Sequence, residues 1–183
     1  MLSNVTVPVV GFVAPSGTGK TQLLKALITR LKSEDFRVAV IKHSHHDFEI
    51  DKPGKDSYEL RKSGAAQMLI ASKYRWAMIS ENKKSGHEIT LNTLIKQLDQ
   101  TAVDIILVEG YKFECFPKIE VYRVDITSSK PAHPPLFLSD SDIIAVAADK
   151  SFVPKNGITL LDINDIKQIS QFIIQYFSLK IPQ

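Results

Sequence analysis

The stretch Val7 to Val13 (VPVVGFV), followed by Ala14-Pro15-Ser16-Gly17-Thr18-Gly19-Lys20-Thr21, decides the fold. A nearly continuous apolar run suits a strand covered on both faces. Pro8, which has no N–H to donate, is tolerated only near its start. The next eight residues fit the phosphate-binding pattern GxxxxGK[ST], except that Ala14 stands where the first glycine would; a small residue still permits the turn. Beyond them, Leu23, Leu24, Leu27, Ile28 and Leu31 recur at the spacing of one helix face. Strand, glycine loop and helix form the context in which the pattern carries chemistry. Gly17 and Gly19 let successive backbone N–H groups curl around phosphate oxygens, and the helix adds its positive N-terminus. Ser16 through Thr21 are therefore the expected nucleotide-binding residues. Lys20 is expected to reach the β- and γ-phosphates as a catalytic contact, and the Thr21 hydroxyl to bind Mg²⁺. Because position 15 is proline, the extra lysine of KGGxGK[ST] loops, which serves a partner's nucleotide, is missing.

Outward from this segment, apolar runs alternate with helical stretches, as in an α/β protein. Phe36 to Lys42 reads as a second strand and about Asp56 to Ser63 as a helix. Gln67 to Ser72 and Trp76 to Ser80 read as a hairpin. Leu91, Leu94, Ile95 and Leu98 mark a further helix. Val103 to Val108 is a strand that runs into Glu109 and Gly110, and Lys118 to Arg123 is another, entered through Pro117. Ser128 to Pro135 reads as a loop. Ile143 to Ala147 and Thr159 to Leu161 are short strands before a last helix, with Asp162 as its cap and Ile163, Ile166, Ile169, Ile173 and Tyr176 as its stripe. The pattern predicts a three-layer fold of the P-loop NTPase type, with a mainly parallel sheet flanked by helices and an additional β-hairpin. Residues 1–183 are expected to form one nucleotide-binding domain with a hairpin appendage at about 67–80.

A nucleotide hydrolase of this type needs a carboxylate at the end of a neighbouring strand to hold Mg²⁺, directly or through water. Ile105-Ile106-Leu107-Val108-Glu109 has that form, so Glu109 is a candidate metal-side and catalytic residue; a solvated strand-end glutamate is the competing reading. The polar stretch from Lys42 contains His43, His45 and His46, which invite a transition-metal reading. They have no cysteine beside them, and His43 and His45 alternate on an extended chain while His46 points elsewhere. A switch-like loop fits better, in which Asp47 contacts Mg²⁺ or the attacking water and the lysines of the stretch contact phosphate; an ordinary solvated loop is the competing reading. Guanine is often read by an aspartate that accepts from N1–H and the N2 amine, and Asn82-Lys83-Lys84-Ser85 lacks the aspartate of an NKxD motif. Asp149, after the run IIAVAA, is the best-placed substitute, with a strand-end turn residue as the competing explanation.

Composition sets the bounds. The chain has 183 residues, 44% apolar and 23% charged, which is ordinary for a globular protein. A single cysteine, Cys115, excludes an intramolecular disulfide and any zinc site needing two cysteines. No apolar run reaches the ~18 residues that span a bilayer, and the N-terminus lacks a basic signal region, so a cytoplasmic protein without a membrane partner is expected. The net charge is +3, and all of the excess lies in Met1 to Arg37, where Lys20, Lys25, Arg30, Lys32 and Arg37 face only two acids. The remainder is electroneutral, which argues against nucleic acid and for a small anionic nucleotide.

Taken together, the APSGTGKTQLLKALI loop, the IKHSHHDFEIDKPGKDSYELRKSGA block, the ILVEGYK strand end and the PKIEVYR strand resemble the MobB family of molybdopterin-guanine dinucleotide biosynthesis adaptor proteins. The resemblance runs from about Val9 to Asp165. It implies a GTP-binding P-loop protein with weak GTPase activity, usually a homodimer, with nucleotide and Mg²⁺ at Ser16 to Thr21. It also implies work beside the guanylyltransferase that joins GMP to molybdopterin, with molybdopterin itself a further candidate ligand.

Other functions compete. A small-molecule kinase of this architecture usually closes an arginine-bearing lid, and Tyr111 to Pro135 contains only Arg123. A metallochaperone GTPase would use His43, His45 and His46, and a pure interaction module would bind no nucleotide. No residue stands out as an arginine finger, although Arg61, Arg75 and Arg123 are candidates. That is consistent with slow hydrolysis, since such a finger contributes on the order of 10³- to 10⁵-fold.

Overall fold

Residues alternate between two faces along each strand, and that alternation builds the layers. The computed structural model describes residues 2–44, 47–82, 88–123, 134–154 and 157–180. In chain order the elements are β1 (Val9–Val13), α1 (Lys20–Lys32), β2 (Val38–Lys42), α2 (Asp56–Lys62), β3 (Gln67–Ala71), β4 (Trp76–Ser80), α3 (Leu91–Ile95), β5 (Ile105–Glu109), β6 (Lys118–Tyr122), β7 (Ile143–Ala148), β8 (Thr159–Asp162) and α4 (Ile166–Tyr176). Six strands form one sheet in the order β2-β5-β1-β6-β7-β8, and every neighbouring pair in it is parallel. β3 and β4 form a separate antiparallel hairpin. The chain divides into two compact units, one of Met1–His43 with Leu91–Gln183, the other Ser44–Thr90.

In the first unit, Val10 and Phe12 of β1, Ile105 and Leu107 of β5, and Ile119 and Val121 of β6 face one way. They share a core with Leu24, Leu27 and Leu31 of α1 and Ile169 and Ile173 of α4. Their neighbours point oppositely: Val9, Ile106 and Val108 pack with Leu91 and Ile95 of α3. Val13, Val146 and Ala148 pack with Phe137 of the 3₁₀ turn Leu136–Leu138. Burial on both faces is why these strands read as continuous apolar runs rather than alternating ones.

Three local expectations change. β1 begins at Val9, after Pro8, whose carbonyl accepts from Ile106 N at 2.9 Å. α3 is only five residues long, because after Ile95 the chain closes tighter turns, Leu98 N donating to Ile95 O at 3.1 Å. The cap of α4 is Asp165, whose side chain accepts from Gln168 N at 2.9 Å; Asp162 instead ends β8 and accepts from Asn164 N at 2.8 Å. Both aspartates suit a cap chemically, and the strand's length chose between them.

Two charged residues of β6 lie in the core on the face opposite α1. Lys118 is 1% exposed. Its ammonium pairs with Asp140 at 2.8 Å and donates to the carbonyls of Glu114 at 2.8 Å and Lys112 at 3.2 Å, so the buried charge is fully partnered. Glu120 accepts from the backbone N–H groups of Leu136 at 2.9 Å and Phe137 at 2.8 Å. Burial pushes its carboxyl above the usual glutamate value, and those two N–H groups hold it back.

Gly11, in the middle of β1, is fixed by close approach. A Cβ there would stand 2.8 Å from Lys118 Cγ and 2.8 Å from the Phe116 ring. Gly11→Ala is therefore expected to destabilise the protein by about 1–3 kcal/mol, the usual cost of overpacking a core. Thermal unfolding reads this as a loss of about 2–4 °C per kcal/mol for a chain this size.

The second unit is organised by one arginine. α2 places Asp56 and Glu59 in its first turn and Arg61 and Lys62 in its last, in accord with the helix dipole. Arg61 is 7% exposed. Its guanidinium pairs with Asp51 at 2.7 Å, with Glu81 at 2.6 Å and with Glu49, and lies over the Tyr58 ring. One planar cation thus joins the segment before α2 to the end of the β3–β4 hairpin.

Candidate functional site

In a parallel sheet all strands finish on one edge. Here the sheet extends from β1 through β5 and β2 on one side and through β6, β7 and β8 on the other. Such a switch in strand order leaves a crevice at the carboxyl ends of the strands. The loop after β1, Glu109 at the end of β5 and Asp149 after β7 all belong to that edge.

The loop that matches the phosphate-binding pattern has the backbone its glycines forecast. Gly17 and Gly19 take φ of +79° and +98°, in the left-handed region, and α1 starts at once with Lys20. The Thr18 hydroxyl donates to Pro15 O at 2.9 Å. The Lys20 ammonium donates to the carbonyls of Ala14 at 2.9 Å and Pro15 at 2.7 Å, spanning the start of the loop. Burial lowers the Lys20 pKa from the ordinary lysine value; the Glu109 charge opposes that shift and the Lys42 charge adds to it.

Thr21 and Glu109 meet. The threonine hydroxyl donates to the two carboxylate oxygens of Glu109 at 3.0 and 3.3 Å. Register accounts for the encounter: Glu109 lies opposite Phe12 on β1 and opposite Lys42 on β2. The Lys42 ammonium consequently donates to both Glu109 oxygens at 3.2 Å. The sequence pattern places Lys42 among the loop lysines expected at phosphate, whereas here it pairs with Glu109.

These oxygens fit a Mg²⁺ ion. Adjacent oxygens on an octahedral Mg²⁺, at bonds of about 2.0–2.1 Å, stand about 2.9 Å apart. Thr21 Oγ1 and Glu109 Oε1 are 3.0 Å apart. Both are hard oxygen donors of the kind Mg²⁺ takes.

On the other side of the loop, Arg123 follows β6. Its Nε donates to Thr18 O at 3.2 Å, and its Nη1 stands 3.6 Å from Asp149 Oδ2. Asp149 lines a cavity of about 210 Å³ between the ends of β7 and β8, together with Ser151, Leu160, Asp162 and Gln168.

The remaining candidates fall elsewhere. His43 stacks on Tyr111 with ring centroids 4.7 Å apart, while His45 and His46 lie outside the described residues. Among the described residues no group of three or more His, Cys, Asp or Glu is placed to hold a metal ion. Asp47 is exposed and belongs to the second unit, so it is not one of the residues the first unit brings together. The stretch Lys83 to Ser85 and nearly all of the loop at 128–135 lie outside the described residues. No helix among the described residues is long and apolar enough to cross a membrane.

Against known sequences, the model of the family described as "MobB: Molybdopterin guanine dinucleotide synthesis protein B" matches residues 9–149. The chain belongs to the MobB family. This MobB chain is 44% identical over 177 residues to the molybdopterin-guanine dinucleotide biosynthesis adapter protein of Escherichia coli (strain K12), covering 96% of this chain and 97% of that one. It is 41% identical over 170 residues to the adapter protein of Haemophilus influenzae, covering 93% and 89%. In architecture it resembles the crystal structure of a molybdopterin-guanine biosynthesis protein B, at a TM-score of 0.69 and 24% identity over 93% of this chain and 99% of that chain. The Bacillus subtilis MobB structure gives a TM-score of 0.69 at 18% identity, over 94% and 98%. MobB membership and the shared parallel sheet agree with the resemblance read from the sequence motifs.

Proposed function

We propose that this chain is a GTP-binding adaptor of molybdopterin-guanine dinucleotide biosynthesis that hydrolyses GTP weakly. The observation that carries the nucleotide reading is the meeting of the Thr21 hydroxyl with the Glu109 carboxylate at 3.0 Å, at the foot of a loop whose glycines are wound for phosphate. In this reading the backbone of Ser16 to Gly19 and the Lys20 ammonium receive the phosphates, and Thr21 and Glu109 hold Mg²⁺. The ion, when bound, neutralises charge on the terminal phosphates. Lys42 orients the Glu109 carboxylate, and Asp149 reads the base. The adaptor role rests on the relatives named above, and with it comes a guanylyltransferase as partner, a homodimeric state and molybdopterin as a further ligand.

Slow hydrolysis follows from the cations present. Among the described residues of the first unit, Arg30 is paired with Glu34, Arg37 is paired with Asp104 at 2.7 Å, and Arg123 is held by Thr18 O and Asp149. Each is engaged by the protein's own groups, which fits slow hydrolysis. The test is reconstitution: molybdopterin-guanine dinucleotide formation by a purified guanylyltransferase, followed with and without this chain. The expected result is a higher yield or rate with the chain and GTP, lost with Thr21→Ala. An equal yield with and without the chain would refute the adaptor role.

A further inference from the structure

We propose that Arg123 is a positioning residue that ties the phosphate-binding loop to Asp149, so that the base preference of the site depends on it. This rests on the nucleotide reading above and deepens it.

The tie is visible in two contacts of one planar group and in the space it takes over Gly19. Nε donates to Thr18 O at 3.2 Å, and Nη1 faces Asp149 Oδ2 at 3.6 Å. Nη2 would come within 3.3 Å of a Cβ placed on Gly19. A guanidinium presents its donors in a rigid fork, so fixing Nε on the loop also fixes where Nη1 points. Gly19 is thus a seat for the arginine as well as a left-handed turn.

The strand order makes Arg123 the natural link. β6 pairs with β1, which launches the phosphate loop, and with β7, which delivers Asp149. An arginine just past the end of β6 can reach both neighbours. Asp149 in turn forms one wall of the cavity between β7 and β8, where Ser151, Asp162 and Gln168 supply further polar groups. A base in that cavity would present its edge to a carboxylate already oriented from behind. A carboxylate has about four acceptor positions and can accept from more than one donor group, and the N1–H and N2 amine of a guanine would be such donors. Adenine offers no such donor pair.

Calorimetric titration of GTP, ATP and inorganic tripolyphosphate tests this in the wild type and in Arg123→Gln, Arg123→Lys, Asp149→Asn and the Arg123→Gln/Asp149→Asn double variant. Tripolyphosphate reports on the loop alone, and a Gln at 123 keeps a donor for Thr18 O without the charge that faces Asp149. The preference for GTP over ATP is expected to fall about tenfold or more in Asp149→Asn, since a hydrogen bond to a charged acceptor is lost. It should fall comparably in Arg123→Gln and no further in the double variant, because the two residues act as one unit. Arg123→Lys should restore part of it, and tripolyphosphate affinity should change less than about twofold in all. Arg123→Gln weakening all three ligands alike, with the GTP to ATP ratio kept, would make Arg123 a phosphate ligand and overturn the proposal. Additive losses in the double variant, or a wild type indifferent to the base, would overturn it too. Those outcomes leave nucleotide binding intact, whereas a wild type that binds none of the three ligands refutes the nucleotide reading itself.

Discussion

Lys20→Ala is expected to abolish the thermal stabilisation that GTP and Mg²⁺ give the wild-type protein. A ligand at about 100 times its Kd adds about 2.7 kcal/mol to stability. For a domain of this size that is a shift of about 5–10 °C. The lysine is singular in its placement: its ammonium spans the Ala14 and Pro15 carbonyls at 2.9 and 2.7 Å, at the mouth of the loop. Burial holds its pKa below the ordinary lysine value, which means its charge is under-solvated. A polyphosphate would supply the compensation that water does not. Removing the side chain without ligand exposes two carbonyls to water and should change stability by about 1 kcal/mol or less. Loss of the ligand shift is therefore separable from loss of folding. A variant that responds like wild type would remove the loop from nucleotide binding.

Arg61→Ala is expected to open the second unit while the first keeps its fold. Without the guanidinium, the Asp51, Glu49 and Glu81 carboxylates lose their shared cation and repel one another. Limited proteolysis should show cleavage between residues 44 and 90 accelerated on the order of tenfold or more, since cleavage follows the population of the open form. Arg61→Lys should fail to rescue it, because an ammonium cannot span three carboxylates in a plane as the fork does. Unchanged protection in Arg61→Ala would show that the cluster does not hold the unit together.

The same cluster fixes a pH dependence. Hydrogen bonds from Lys62 and Arg61 hold Glu49 below the usual carboxylate value, and that from Arg61 does so for Asp51. Carboxyls depressed in the folded state contribute stability that is present above their ordinary pKa and lost as pH falls through the lowered one. Protection of the second unit should therefore fade from about pH 5 downward. Arg61→Ala should flatten that profile; an equally steep profile in the variant would assign the acid loss to other groups.

How far the sequence reached depends on the distance over which a residue's surroundings are decided. The phosphate loop was legible because strand, glycines and helix are contiguous, and Gly17 and Gly19 take the left-handed conformations their positions require. The partnership of Glu109 with Thr21 was legible in kind, since an acid at the end of a neighbouring strand is what the chemistry asks for. The pairing of Lys42 with Glu109 was not legible because it needs the register of β2 on β5, which no local pattern states. Arg123 was weighed as a lid arginine and as a finger; its hold on Thr18 and Asp149 depends on β6 lying between β1 and β7. The partners of Lys118 were not legible, since only the fold brings Asp140 and two carbonyls to its buried ammonium. Arg61 was hidden likewise, because its three carboxylates come from sequence positions 10 to 20 residues away.

The most direct test of the account is a crystal structure with a non-hydrolysable GTP analogue and Mg²⁺. Phosphates are expected to be cradled by Ser16 to Thr21. Lys20 Nζ is expected to exchange the carbonyls of Ala14 and Pro15 for phosphate oxygens, and the ion to be held by Thr21 with Glu109 beside it. An analogue seated elsewhere, or absent at saturating concentration while Lys20 keeps its loop carbonyls, would contradict that expectation.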